Sequence, residues 1–173
     1  MSTTGTTPEL DRSWPANDAA DELRLQREFL AFLRVTAVNK AAGLTPAQAI
    51  ETPLATSPLM SVLAVLKHLT AVERYWITRT AGGADEPLLW DPTDVHAEWR
   101  LAQFDTPSAV TAAYQREWEL ADRAIAGLTP DSPARADPKY TLRWILAHVV
   151  QETARHVGHL DILREYLDGH TGE

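Results

Sequence analysis

Glu152-Thr-Ala-Arg-His156-Val-Gly-His159 lies inside an apolar run from Thr141 to Leu167 that reads as one long helix. At about 100° per residue, Leu142, Ile145, Val149, Leu160, Leu163 and Leu167 share a single stripe of roughly 60°. Glu152, His156 and His159 fall in that stripe or at its edge, so an acid and two imidazoles face the core. A carboxylate buried without a partner is costly and tends to take up a proton instead. Something inside the fold should hold Glu152 charged, and a metal ion is the economical candidate.

Three more helices are expected around this one. From Asp18 to about Ala42, Leu25, Phe29, Phe32, Leu33 and Thr36 lie inward, while Arg24, Arg27, Glu28 and Arg34 lie mostly outward. Asp18 is its expected N-cap and Gly43 its stop. Ser57-Pro58 offers a cap and a first-turn proline for a second helix to about Thr80. Leu59, Val62, Leu63, Leu66, Leu69 and Trp76 give that helix a broad apolar face, with His68 near it. Thr106-Pro107 repeats the start signal for a third helix to about Leu128, with Val110, Tyr114, Trp118, Ala121 and Ile125 inward. No strand shows convincing alternation. Four amphipathic helices make an all-α four-helix bundle the natural solution. The connection from Gly82 to Asp105 is long enough to return along a helix, which permits helices 2 and 3 to run parallel in an up-down-down-up order. Connections of this length usually cross a domain or cover a site.

Length and composition bound the rest. The chain has 173 residues, 45% of them hydrophobic, which suits one domain over 18–173 preceded by a flexible arm, 1–17, where Trp14-Pro15 is the only large apolar feature. No run approaches the ~18 to 20 apolar residues of a membrane span and the N-terminus lacks a signal-peptide pattern, so a cytoplasmic protein is expected. With no cysteine, disulfides, thiolate zinc sites and protein thiol nucleophiles are excluded. A net charge of -8 speaks against nucleic acid or an anionic membrane as partner.

Glu152 and His156, four apart, sit about 5 to 6 Å from each other on one helix face. His68, midway along helix 2, is the inward histidine elsewhere. Together they form a two-histidine, one-carboxylate set that binds zinc with a fourth position open, and that suits ferrous iron or nickel as well. The rival reading is a buried Glu–His hydrogen bond with His68 as an ordinary core histidine, and the residues alone leave both standing. His148 and His159 are candidates to hydrogen-bond and orient the ligands, to serve as alternative ligands or to face water, with the orienting role preferred for His159. Arg155 points away from the stripe and reads as a spectator. Glu73 and Arg74 read as surface charges or an ion pair to another helix. The six tryptophans read first as core and loop packing, with Trp76 and Trp144 as candidates for a pocket mouth. The di-iron bundle pattern, a Gly-rich phosphate loop, a Gly-x-Ser-x-Gly elbow and His-Glu-x-x-His are all missing.

Val62-Leu-Ala-Val-Leu-Lys-His68-Leu-Thr-Ala-Val-Glu-Arg-Tyr-Trp76, Leu142-Arg-Trp-Ile-Leu-Ala-His-Val-Val-Gln-Glu152-Thr-Ala-Arg-His156-Val-Gly-His159-Leu-Asp-Ile-Leu-Arg-Glu165 and the ending Asp168-Gly-His-Thr-Gly172 are ordered matches to a known pattern. In these segments the chain resembles the DinB-like superfamily of metal-binding four-helix bundles, over nearly everything from Ala20 to Gly172. The resemblance is to the branch of mycothiol-dependent maleylpyruvate isomerases and mycothiol transferases. It implies an up-down-down-up bundle, a homodimer, and a metal ligated by one His on helix 2 and two groups four apart on helix 4. Many members have His at both helix-4 positions; here the first is Glu152. The ligand roles thereby pass to His68, Glu152 and His156, with no catalytic residue beyond the metal centre. Members of known activity use mycothiol or bacillithiol. The leading expectation is a zinc-dependent thiol transferase or isomerase acting on a small-molecule electrophile. A metal-dependent hydrolase and a non-enzymatic, stress-associated metal-binding bundle are the alternatives.

Overall fold

The computed structural model describes residues 8–18 and 20–172, and among them it is almost entirely helical. The elements are α1 (Glu22–Asn39), a short α2 (Pro46–Ile50), α3 (Val62–Glu73) continuing into a π-helical stretch (Arg74–Ala81), a 3₁₀ turn (Ala97–Trp99), α4 (Pro107–Ala124) and α5 (Leu142–Asp168). Isolated bridges between Asp91 and Asp94 and between Pro133 and Thr141 are the extended pairings among the described residues.

Each long helix starts on a side-chain cap. Asp21, Ser61, Thr106 and Thr141 accept from the backbone N–H three residues on, which satisfies one of the unpaired donors of the first turn. Two of the expected starts therefore move. Asp21 caps α1 in place of Asp18. Ser57-Pro58 forms a turn closed by Met60 N–H on Ser57 O, and Ser61 caps α3 one turn later. α5 ends on Gly169 in the left-handed region at φ 76°, which its missing Cβ permits. α2, in the connector between α1 and α3, carries a capping box between Thr45 and Gln48.

Cross-helix pairs give the directions. Glu22 meets Arg143 and Lys40 meets Asp161, so α1 and α5 run parallel. Lys67 meets Asp105 and Arg74 meets Glu117, so α3 and α4 run parallel. Arg34 on α1 meets Glu73, and His68 and Trp76 on α3 meet Glu152 and Trp144 on α5, so the two parallel pairs oppose each other. The result is an up-down-down-up four-helix bundle.

Two apolar clusters fill it, one with Val38, Leu63, Leu66, Leu69, Tyr114, Leu160 and Leu163, the other with Leu30, Ile77, Ala121, Ile145, Leu146 and Val149. Burying each Leu or Ile contributes about 1.5–3 kcal/mol. Between the clusters lies a polar layer that corrects the expected outward placement of Arg34 and, of the two readings for Glu73 and Arg74, bears out the ion pair to another helix. The Arg34 guanidinium donates from Nη2 to Glu73 Oε2 at 2.6 Å and from Nε to both carboxylate oxygens, and Tyr114 OH donates to Glu73 Oε1 at 3.0 Å. Arg74 Nε and Thr78 Oγ1 donate to Glu117 at 2.8 and 2.5 Å. Every charged member of these pairs is buried, and burial pushes the Glu73 carboxyl up against the opposing pull of Arg34. Phe29, expected inward, is exposed.

The described part of the N-terminal arm runs back along α1. Leu10 exchanges two hydrogen bonds with Asn39, Ala16 N–H donates to Glu28, and Trp14 stacks on Phe32 at 4.5 Å. Residues 1–7 of the arm lie outside the described residues. No helix among the described residues is long and apolar enough to cross a membrane.

Candidate metal centre

α3 and α5 cross antiparallel, and this brings His68 over the Glu152–His156 turn. One ligand atom from each of His68, Glu152 and His156 falls within 4.8 Å of the other two. Nε2 of His68 lies 3.6 Å and Nε2 of His156 3.3 Å from the same carboxylate oxygen, Glu152 Oε1. The imidazoles stand edge to face with centroids 4.5 Å apart. His156 is buried, and the other two are nearly so.

The outer contacts orient the rings. Glu98, on the 3₁₀ turn of the long connection, places Oε1 2.6 Å from Nδ1 of His68. A carboxylate on Nδ1 holds the proton there and leaves the lone pair of Nε2 directed at Glu152. Trp99, next in the chain, stacks on His68 at 4.3 Å and shields it from water. His159 Nδ1 lies 3.2 Å from His156 Nδ1, which leaves His156 Nε2 on the Glu152 side. Arg155, exposed as expected, folds back so that Nη1 lies 3.2 Å from Glu152 Oε2. His148 sits away from the three, between Trp76 and Trp144 at 4.9 and 5.2 Å.

Burial, with His68 beside it, pushes the His156 ring down to about 4 against the pull of Glu152. The ring is therefore neutral at neutral pH, the form a metal requires. Burial raises the Glu152 carboxyl, but His156 and Arg155 draw it below the ordinary carboxylate range, so it is charged. Two imidazole nitrogens and one carboxylate suit a borderline divalent ion. A Glu152–His156 hydrogen bond accounts for those two residues alone; it leaves Nε2 of His68 buried and without a hydrogen-bond partner among the described residues. An ion satisfies all three at once, so the donor set fits a metal better than it fits a hydrogen-bonded core.

Glu98 is the residue that sequence reasoning missed. The signal was indirect: a long connection with an acid beside a tryptophan, in the position of a segment that covers a site.

Comparison with known proteins gives one assignment. The sequence model of the family described as Mycothiol-S-transferase matches residues 25–169, which takes in most of α1, all of α3, α4 and α5, and the His68, Glu152 and His156 cluster. No curated protein matches the chain. With a match over most of its length, a DinB-like four-helix bundle and a cluster able to hold a metal, the chain belongs to the mycothiol-S-transferase family.

Proposed function

We propose that the protein is a metal-dependent thiol transferase or isomerase using mycothiol or a related low-molecular-weight thiol, with zinc held by His68 Nε2, a Glu152 oxygen and His156 Nε2. The carrying observation is the convergence of these three donors, one of them a buried nitrogen with no other partner. When bound, such an ion supplies a Lewis acid with an open position that lowers a thiol's pKa, so that thiolate is present at neutral pH. Glu98 fixes the tautomer and orientation of His68, and His159 does the same for His156. Trp99 excludes water from the imidazole face. Arg155 steadies the Glu152 carboxylate from the solvent side. The chain has no cysteine, so the nucleophilic sulfur is borrowed from the co-substrate. A homodimer, by family resemblance, and a cytoplasmic location complete the proposal, and sedimentation analysis tests the dimer.

The test is turnover of an electrophile by the zinc-loaded protein with and without mycothiol. Thiol-dependent turnover that disappears in His68→Ala supports the transferase. Turnover independent of thiol turns the reading to a hydrolase that activates water. Protein that retains no metal after purification and chelate exchange points to a non-enzymatic bundle.

A further inference from the structure

We infer that the cavity of about 230 Å³ formed by Val72, Tyr75, Trp76, Trp90, Val95 and Glu98 receives the electrophile, and that this electrophile is a neutral, planar, apolar molecule. The inference rests on the transferase reading and names its second substrate class. Position is the first reason. Val72 follows His68 by one turn of α3 and Trp76 by two, and Glu98 belongs both to the cavity and to the contact on His68 Nδ1.

The walls are the second reason. Tyr75 meets Trp76 edge to face at 5.0 Å and Trp90 at 6.0 Å. Trp76 is itself held by Tyr140, Trp144 and His148, at 5.2, 5.4 and 4.9 Å. His148 thereby has a place: it supports an aromatic wall. Rings fixed in this way prefer another ring in offset or edge contact. The space is smaller than the about 300–1,000 Å³ of clefts that take drug-sized ligands, so one or two rings fill it.

Charge is the third reason. Among the described residues no lysine or arginine lines the cavity, and its acid, Glu98, is held by His68. A carboxylate-bearing electrophile would lose water there, gain no cation and face a like charge. A second cavity of about 450 Å³ also borders Glu98, and its wall sets Lys67, Asp105 and Arg116 among Leu89, Phe104 and Val110.

Chlorodinitrobenzene and its ring carboxylate, chlorodinitrobenzoate, form the test pair. In each, the thiolate sulfur forms a bond to the ring carbon bearing chlorine, the C–Cl bond breaks, chloride leaves with the electron pair and the thiol's proton passes to water. With zinc-loaded protein and saturating mycothiol, kcat/KM should favour the neutral ring by about 10-fold or more after division by the uncatalysed rates. Trp90→Ala and Tyr75→Ala, both checked by circular dichroism and zinc content, should raise KM for the neutral ring about 10-fold. Equal use of both rings, or an unchanged KM in both variants, overturns the inference while leaving the transferase intact. Saturation-transfer NMR with unreactive dinitrobenzene and no thiol reads the cavity alone. A signal that Trp90→Ala abolishes upholds the aromatic site even if thiol transfer is never observed, and no signal in the parent protein overturns it.

Discussion

Glu98 Oε1 lies 2.6 Å from Nδ1 of His68, joining the irregular connection to α3 at the ring whose other nitrogen faces Glu152. A carboxylate in this place raises the basicity of a ligating imidazole and locks its rotation. Glu98→Ala should weaken zinc affinity about 10–100-fold, and Glu98→Gln, which can still accept from Nδ1–H, should cost less. Competition with a chromophoric chelator measures both. Equal affinity in all three proteins would remove Glu98 from the metal site.

An ion bound by α3 and α5 together stabilises only the folded chain. Zinc at about 100 times its Kd should add about 2.7 kcal/mol and raise Tm by roughly 5–10 °C for a domain of this size. His156→Ala should lose the whole increment. A Tm that zinc raises equally in the parent protein and this variant would place the ion elsewhere.

Stability of the metal-free protein should fall in mild acid. Burial holds His156 at about 4 when folded, against about 6.5 when unfolded. As pH drops from about 6.5 to 4, the unfolded chain binds a proton that the folded chain refuses, so folding free energy is lost across that window and regained as pH rises. Glu152, held below its ordinary range, adds stability above its unfolded pKa and loses it as pH falls through the folded value. Urea midpoints at about pH 7 and about pH 5 should separate more for the parent protein than for His156→Gln. Parallel behaviour of the two would contradict this assignment.

The Arg34–Glu73 pair sits inside the bundle with side-chain exposures of 5% and 0%. At such depth an unpartnered charge dominates the outcome. Arg34→Met should cost about 3–5 kcal/mol by leaving Glu73 uncompensated, whereas Arg34→Met with Glu73→Leu should recover most of the loss. Tyr114→Phe, which removes one donor from Glu73, should cost about 1–3 kcal/mol. Equilibrium denaturation of the four proteins checks the order, and a double variant weaker than the single one would reverse it.

Gly82 brings the end of the π-helical stretch against α4. A Cβ there would clash with Ala124 Cβ and come within 2.8 Å of Thr78 O. Gly82→Ala should cost about 1–3 kcal/mol through overpacking, read from thermal or urea unfolding. A neutral result would mean that the α3–α4 contact yields readily.

What could be read in advance follows from where the information resides. α5 was legible because one stripe of leucines and isoleucines, a Thr141 cap and a Gly169 stop all agree locally. The i, i+4 geometry of Glu152 and His156 is also local. His68 needed only the apolar face of α3. Arg34 was misplaced because polarity alone puts an arginine outward; its partner Glu73 is 39 positions away, and pairing at that range leaves no periodicity. Glu98 was hidden for the same reason, since the path of an irregular connection is set by tertiary contacts. The α3 boundary slipped because Ser57-Pro58 and Ser61 both precede apolar residues, and only the latter meets helical backbone.

The π-helical stretch Arg74–Ala81 closes its backbone five residues apart, as in Gly82 N–H to Ile77 O at 2.9 Å. Each such bond encloses one residue more than an α-helical bond, so the stretch takes up locally a residue that a regular helix would pass on as a turn of about 100° and a rise of about 1.5 Å. Trp76 and Gly82 thus stand on a wider backbone than His68, Glu152 and His156, which sit on regular α-helical turns, and the aromatic wall and the α3–α4 contact are set apart from the three candidate ligands.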